Sequence, residues 1–154
     1  NHVGYLLRTA PDHEYIKMLR DSWDGLLVVK GLMCPDDAEP LEKLGIDAAW
    51  VSNHAGRQFA GSPSAIDMLP AIRATTKLPL IFDSGIEGGL DIMRAFGLGA
   101  DFVMMGRAWH YAVGAMGGAG PAHLLNMLSD DLKSNMIQIA ASKLEELPPL
   151  VYGS

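Results

Sequence analysis

The sequence predicts an α/β fold built on a parallel sheet of four βα units, and three observations carry that prediction. Short apolar runs at residues 26–29, 48–51, 80–82 and 102–105 recur with a spacing of about 25 residues. The segments between them place apolar residues three and four apart, the mark of a helix with one buried face. Each apolar run also stops abruptly at a glycine or polar cluster: Lys30-Gly31, Ser52-Asn53-His54, Asp83-Ser84-Gly85 and Gly106-Arg107. Strands without polar alternation, separated by amphipathic helices, form parallel sheets covered by those helices, and such sheets bind ligands at the C-terminal ends of their strands.

Residues 1–12 show no period and contain Gly4 and Pro11, so they read as loop. Asp12 is placed to cap a helix running to Ser22 with Tyr15, Met18 and Leu19 on its inner face. The turn Asp24-Gly25 leads into the first buried strand, 26–29, which Lys30-Gly31 closes. Residues 35–44 are helical with Ala38, Leu41 and Leu44 aligned and Gly45 as the stop; Pro40 demands a kink or a late start. Strand 48–53 follows, then a polar loop to Gly61, then a helix over 67–75 with Pro70 in its first turn and Ile66, Leu69 and Ile72 inward. Strand 80–82 precedes a helix carrying Ile86, Leu90, Met93 and Phe96 on one stripe, ended by Gly97 and Gly99. After the fourth strand, 102–105, come a short apolar segment and a flexible loop, 114–120. Pro121 opens the longest helix, with Leu125, Leu128, Leu132, Met136 and Ile139 in line. Residues 143–154, with Pro148-Pro149, form a tail or strap.

The chain has 154 residues, 49% of them hydrophobic, enough for a real core. A net charge of −6 and the lack of a Lys/Arg cluster argue against a nucleic-acid surface. The one cysteine, Cys34, excludes an internal disulfide and a cysteine-based zinc site, so no metal is expected. No apolar run approaches the roughly 20 residues of a membrane helix, and residues 1–12 lack the features of a signal peptide. A reducing cytoplasm fits that pattern. Without an initiator Met at position 1, the chain reads as part of something longer.

The most informative stretch is Ser52-Asn53-His54-Ala55-Gly56-Arg57-Gln58. An imidazole takes a proton near neutral pH, and a guanidinium holds a carboxylate by two parallel hydrogen bonds. His54 and Arg57 therefore suit an acid with a removable proton beside its carboxylate. The residues alone leave a plainer reading open, in which His54 is an ordinary loop residue and Arg57 a helix cap. At the last two strand ends, Asp83-Ser84-Gly85 with Gly88-Gly89 presents free backbone N–H groups, and Gly106-Arg107 adds a cation. Phosphate is favoured there, as at the last strands of a barrel.

Val29-Lys30-Gly31, the Ser52–Gln58 run, Asp83-Ser84-Gly85, Leu98-Gly99-Ala100 and Gly106-Arg107 together resemble the C-terminal half of the FMN-dependent 2-hydroxy-acid oxidases and dehydrogenases, a family that includes glycolate oxidase, lactate oxidase, L-lactate dehydrogenase and mandelate dehydrogenase. The resemblance implies the last four βα units of a (β/α)8 TIM barrel, and the cofactor FMN. It further implies His54 as the active-site base and Arg57 as the substrate-carboxylate ligand. Lys30 belongs beside the flavin N1–O2 edge, Ser52 on the flavin, and Asp83 on the ribityl hydroxyls. The backbone of Ser84, Gly85, Ile86 and Glu87, with Gly106 and Arg107, belongs on the phosphate. The expected reaction is oxidation of a small L-2-hydroxy acid to a 2-oxo acid. The partners implied are that substrate, the missing N-terminal half of the barrel and further copies in a homo-oligomer; the fragment by itself is expected to be inactive. Peripheral membrane association of the full-length protein is compatible with the same resemblance.

The chain departs from the family at one position. Where an arginine commonly follows the Asp-(Gly/Ser)-Gly-x turn, it carries Glu87, followed by Gly88, which loosens the helix start. A carboxylate repels a phosphate dianion unless it turns outward, so Arg107 and the backbone must hold the phosphate without that help. Two other functions are consistent with the pattern. One is a phosphate-binding barrel isomerase or aldolase using Lys30 as base or Schiff-base nucleophile. The other is a non-catalytic half-barrel assembly module with open sheet edges.

Overall fold

The computed structural model describes residues 11–151. Four strands, β1 (Val28–Leu32), β2 (Ala48–Val51), β3 (Leu80–Phe82) and β4 (Phe102–Val103), form one sheet in chain order. Every neighbouring pair is parallel. The helices are α1 (His13–Ser22), α2 (Ala38–Lys43), α3 (Ala65–Thr75), α4 (Gly89–Gly97), α5 (Arg107–Met116) and α6 (Gly120–Gln138). Four parallel βα units in sequential order are the half-barrel the sequence predicts.

The sheet has two unlike faces. Residues paired across a parallel sheet share a face, and successive residues alternate between faces. Ala49, Val51, Leu80 and Phe82 point into the helical layer and are 0–1% exposed. They pack there with Leu41, Leu69 and Ile72 in the main core. The row Lys30–Trp50–Ile81–Phe102 lies on the other face, and Phe102 is 57% exposed. One face is covered, and the face corresponding to a barrel interior is open, with Leu26 and Val28 exposed along the β1 edge.

Several boundaries also differ from expectation. β1 begins at Val28 and continues through Lys30 to Leu32, with a bulge at Gly31 where φ reaches +101°. Lys30 is therefore inside the strand rather than at its end. β2 stops at Val51, so Ser52 and Asn53 belong to the loop, and β4 has only two residues. Asp12 caps α1 as predicted, accepting the Tyr15 N–H at 2.9 Å. The inner face of α1 is carried by Ile16, however, while Tyr15 and Met18 are exposed. The rest of the 1–12 loop, residues 1–10, lies outside the described residues. α2 starts late, after a 3-10 turn over Pro35–Asp37, which leaves Pro40 in its first turn. α3 begins at Ala65, so Pro70 lies in the helix interior rather than in the first turn. The complete burial of Ala65, Leu69 and Ile72 outweighs the one lost hydrogen bond.

α5 replaces the short apolar segment and the first three residues of the expected flexible loop, and a 3-10 turn over Gly117–Ala119 joins it to α6. α6 buries Leu128 and Met136 but leaves Leu125 and Ile139 exposed. Asp131 of α6 accepts the Gly89 N–H at 2.6 Å, so the α4 start is held by a neighbouring helix rather than loosened by Gly88. A Cβ on Gly89 would stand 2.2 Å from the Leu132 backbone nitrogen, which is why the two helices meet at a glycine. The segment after α6 is a strap: Leu147 is 2% exposed and joins Met136 and Ala141 in a second core against Met93 and Phe96.

Candidate active site

The polar ends of the strands converge on Ser52. It lies one residue past β2 and is 4% exposed. Its hydroxyl accepts from Lys30 Nζ at 2.9 Å and from the His54 backbone N–H at 3.1 Å, and it lies 3.3 Å from Ser84 Oγ. Ser84 Oγ in turn donates to Asp83 Oδ1 at 2.6 Å and accepts the Ala55 N–H at 3.1 Å. Lys30 Nζ completes the network by donating to Asp83 Oδ2 at 2.7 Å while standing 4.1 Å from the centre of the Trp50 ring.

Burial pushes the Asp83 carboxyl up. Hydrogen bonds from Lys30, Ser52 and Ser84, together with the Lys30 charge, outweigh that effect and hold it below the ordinary aspartate range. Asp83 is thus a fixed anion, and Lys30 is anchored by two acceptors and a ring.

The two loops carry unusual backbone. His54 and Ala55 both adopt φ of 55°, and Ser84 adopts 79°. Non-glycine residues rarely take this left-handed conformation, and where they do the surroundings over-determine it. Here the Ala55–Ser84 bond ties the two strained loops to each other, and the His54–Ser52 bond closes the first loop on its own strand end. The strain sits where the sequence places its chemistry.

A cleft of about 370 Å³ opens above this network between the ends of β2, β3 and β4 and the start of α5. His54, Arg57, Asp83, the 84–87 turn, Gly106 and Arg107 all line it. Every sequence-predicted site residue is therefore brought to one rim. Lys30 and Ser52 lie just behind, joined to the cleft through Asp83 and Ser84. A larger hollow at the opposite rim, lined by Glu42, Arg73, Thr76 and Asp101, holds ion pairs and hydrogen bonds that tie helices to strand starts, such as Arg73–Asp101 at 3.1 Å. Conserving structure rather than binding is the usual role of that end of a βα barrel.

The cleft's cations are not equivalent. Lys30 pairs with Asp83, and Arg107 donates to Glu87 Oε1 at 3.2 Å. Arg57 donates through Nε to the His54 carbonyl at 3.2 Å, and among the described residues no carboxylate pairs with it. Its guanidinium is free to take an external anion. Glu87, although exposed, reaches onto Arg107 and so occupies the cation a phosphate would use.

Trp50, Met104 and Met105 read from the sequence only as strand residues, and Tyr111 carries no site signal there, yet Trp50 backs Lys30 and the other three line the cleft. Trp50 carries a usable signal, since its period-2 relation to Ser52 puts it on the face of β2 next to Lys30. Tyr111 depends on α5, which the glycines at 114, 117 and 118 disguise as loop.

Residues 1–152 match the family described as FMN-dependent dehydrogenase. An L-lactate dehydrogenase of Chromohalobacter salexigens is 40% identical over 143 residues, covering 90% of this chain and 36% of that protein. Among solved structures, a soluble mutant of the membrane-associated (S)-mandelate dehydrogenase of Pseudomonas putida superposes with a TM-score of 0.85 at 36% identity, over 90% of this chain and 40% of that one. A mandelate oxidase solved with (S)-4-hydroxymandelic acid gives 0.84 at 30% identity, over 89% and 39%. The chain thus spans well under half the length of these relatives.

Proposed function

The chain belongs to the FMN-dependent dehydrogenase family, and from that premise we propose that it forms the catalytic rim of a flavoenzyme that oxidises an L-2-hydroxy acid to a 2-oxo acid. The observation that carries this reading is Arg57, the cleft cation without a carboxylate partner among the described residues, three positions from His54 on the same loop. A carboxylate held by Arg57 brings the neighbouring hydroxyl toward His54, which takes its proton at a ring nitrogen.

The donor set suits FMN at the ring and ribityl end. Lys30, fixed by Asp83 and Ser52, offers a positive charge, and Asp83 and Ser52 offer hydrogen bonds. At Gly85 and Gly106 an added Cβ would meet nothing within 4 Å, so the backbone there borders open space. Bound FMN supplies the two-electron acceptor. Ser84, Gly85, Ile86, Glu87, Gly106 and Arg107, which line the same cleft, would hold its phosphate end. Lys30 donates to two acceptors at once, which suits a charge-stabilising cation better than the free amine that an aldolase or isomerase would need.

The open face and the exposed β1 and β4 edges call for the other half of an eight-stranded barrel as the first partner, before any homo-oligomer. Among the described residues no helix is long and apolar enough to cross a membrane. The reading is tested in the full-length protein by His54→Gln. Bound FMN should persist, while anaerobic bleaching by a 2-hydroxy acid such as lactate or mandelate slows about 10²- to 10⁴-fold. Unchanged bleaching would remove His54 from the reaction.

A further inference from the structure

We propose that Glu87 sets the cofactor preference of this cleft by competing with the phosphate monoester for Arg107. The inference rests on the reading that a flavin occupies the cleft and adds which part of it this chain grips weakly.

Two donors that a phosphate needs at this end are already engaged by carboxylates of the chain itself. The Arg107 guanidinium, at the first position of α5, donates to Glu87 Oε1 at 3.2 Å. The Glu87 backbone N–H, part of the turn that leads to α4, donates to Asp91 Oδ2 at 3.1 Å. Asp91 is further balanced by Arg94, 3.8 Å away, and Glu87 faces no second cation among the described residues. The charge at the phosphate end is therefore closed on itself, with two acids against two arginines.

The Glu87–Arg107 pair is exposed, with side chains 73% and 60% accessible, so it opens at little cost. What remains after opening is repulsion: a carboxylate within a few ångströms of a dianion. In water this weakens binding by about tenfold, and salt screens part of it. Lys30, Ser52 and Asp83, which would meet the ring and ribityl chain, share no hydrogen bond with the Glu87–Arg107 pair. FMN should consequently gain little over riboflavin in this cleft, because the phosphate is met by a neutralised arginine.

The test is flavin titration of the full-length apoprotein, followed by quenching of flavin fluorescence, with FMN and riboflavin as the two probes. Glu87→Gln is expected to tighten FMN about tenfold, which corresponds to about 1.4 kcal/mol, and to leave riboflavin within twofold. Glu87→Arg should tighten FMN further and make its affinity more sensitive to salt. Since Glu87 is an exposed side chain, thermal unfolding of both variants should match the parent. Equal FMN affinity in all three proteins overturns the proposal while leaving the flavoenzyme reading intact. Parallel gains for FMN and riboflavin also overturn it, since they would show a change in shape rather than charge. If no protein of the three binds either flavin, both readings fail together.

Discussion

The two faces of the sheet are made of similar residues and have opposite fates. Val51, Leu80 and Phe82 are sealed at 0–1% exposure beneath α2 and α3, whereas Val28 and Phe102 on the other face stand 42% and 57% exposed. An apolar strand residue records that burial is intended, not what provides it. Helices supplied by the intervening sequence cover the first face. The second is left open by these four units, and the candidate site sits at the rim where the strands end.

The comparison is broken most directly at Phe82. Phe82→Ala removes a side chain with full cover, and a loss of about 3–5 kcal/mol is expected in denaturant unfolding. A loss below about 1 kcal/mol would show that the helical face is not the core of the fold. Next in size is Asp83→Asn, which leaves Lys30 without its counter-charge at the rim of the open face and should cost about 2 kcal/mol at neutral pH. Because Asp83 is held below the ordinary carboxylate range, its contribution is fully present above that range. The contribution is lost as pH falls below about 4 and through the depressed folded value. Parent and Asp83→Asn stabilities should therefore converge in acid, and curves that stay parallel would remove the Lys30–Asp83 pair as the cause. The smallest effect belongs to the open face. Phe102→Ala should cost about 1 kcal/mol or less in this chain and approach the Phe82 value in the full-length protein, where the face gains cover. An equal small loss in both would argue against a completed barrel.

The legible part of the site was chemical. The Ser52–Gln58 run, the Asp83-Ser84-Gly85 turn and Gly106-Arg107 could be assigned to strand ends because a buried strand cannot end in polar groups without a use for them. Their convergence on one cleft followed from the parallel topology alone. What the sequence hid was partnership. Nothing local shows that Glu87 turns onto Arg107, that Trp50 lies beside the Lys30 ammonium, or that Asp131, forty-two positions away, holds the Gly89 N–H. The same holds for α5, whose glycines read as breaks until α6 packs against it.

By itself the amino-acid order determined the succession of strands and of every helix but α5, the parallel sense of the sheet and the rim where the polar strand ends gather. Each of these follows from periodicity and from the cost of burying polar groups, which act over a few residues. The tertiary structure alone decided which face is covered, where Pro70 is tolerated, and which cation of the cleft is left for a ligand. Those outcomes depend on distances between segments remote in sequence, and a pair such as Arg107 and Glu87 becomes a pair only once β3 and β4 lie side by side.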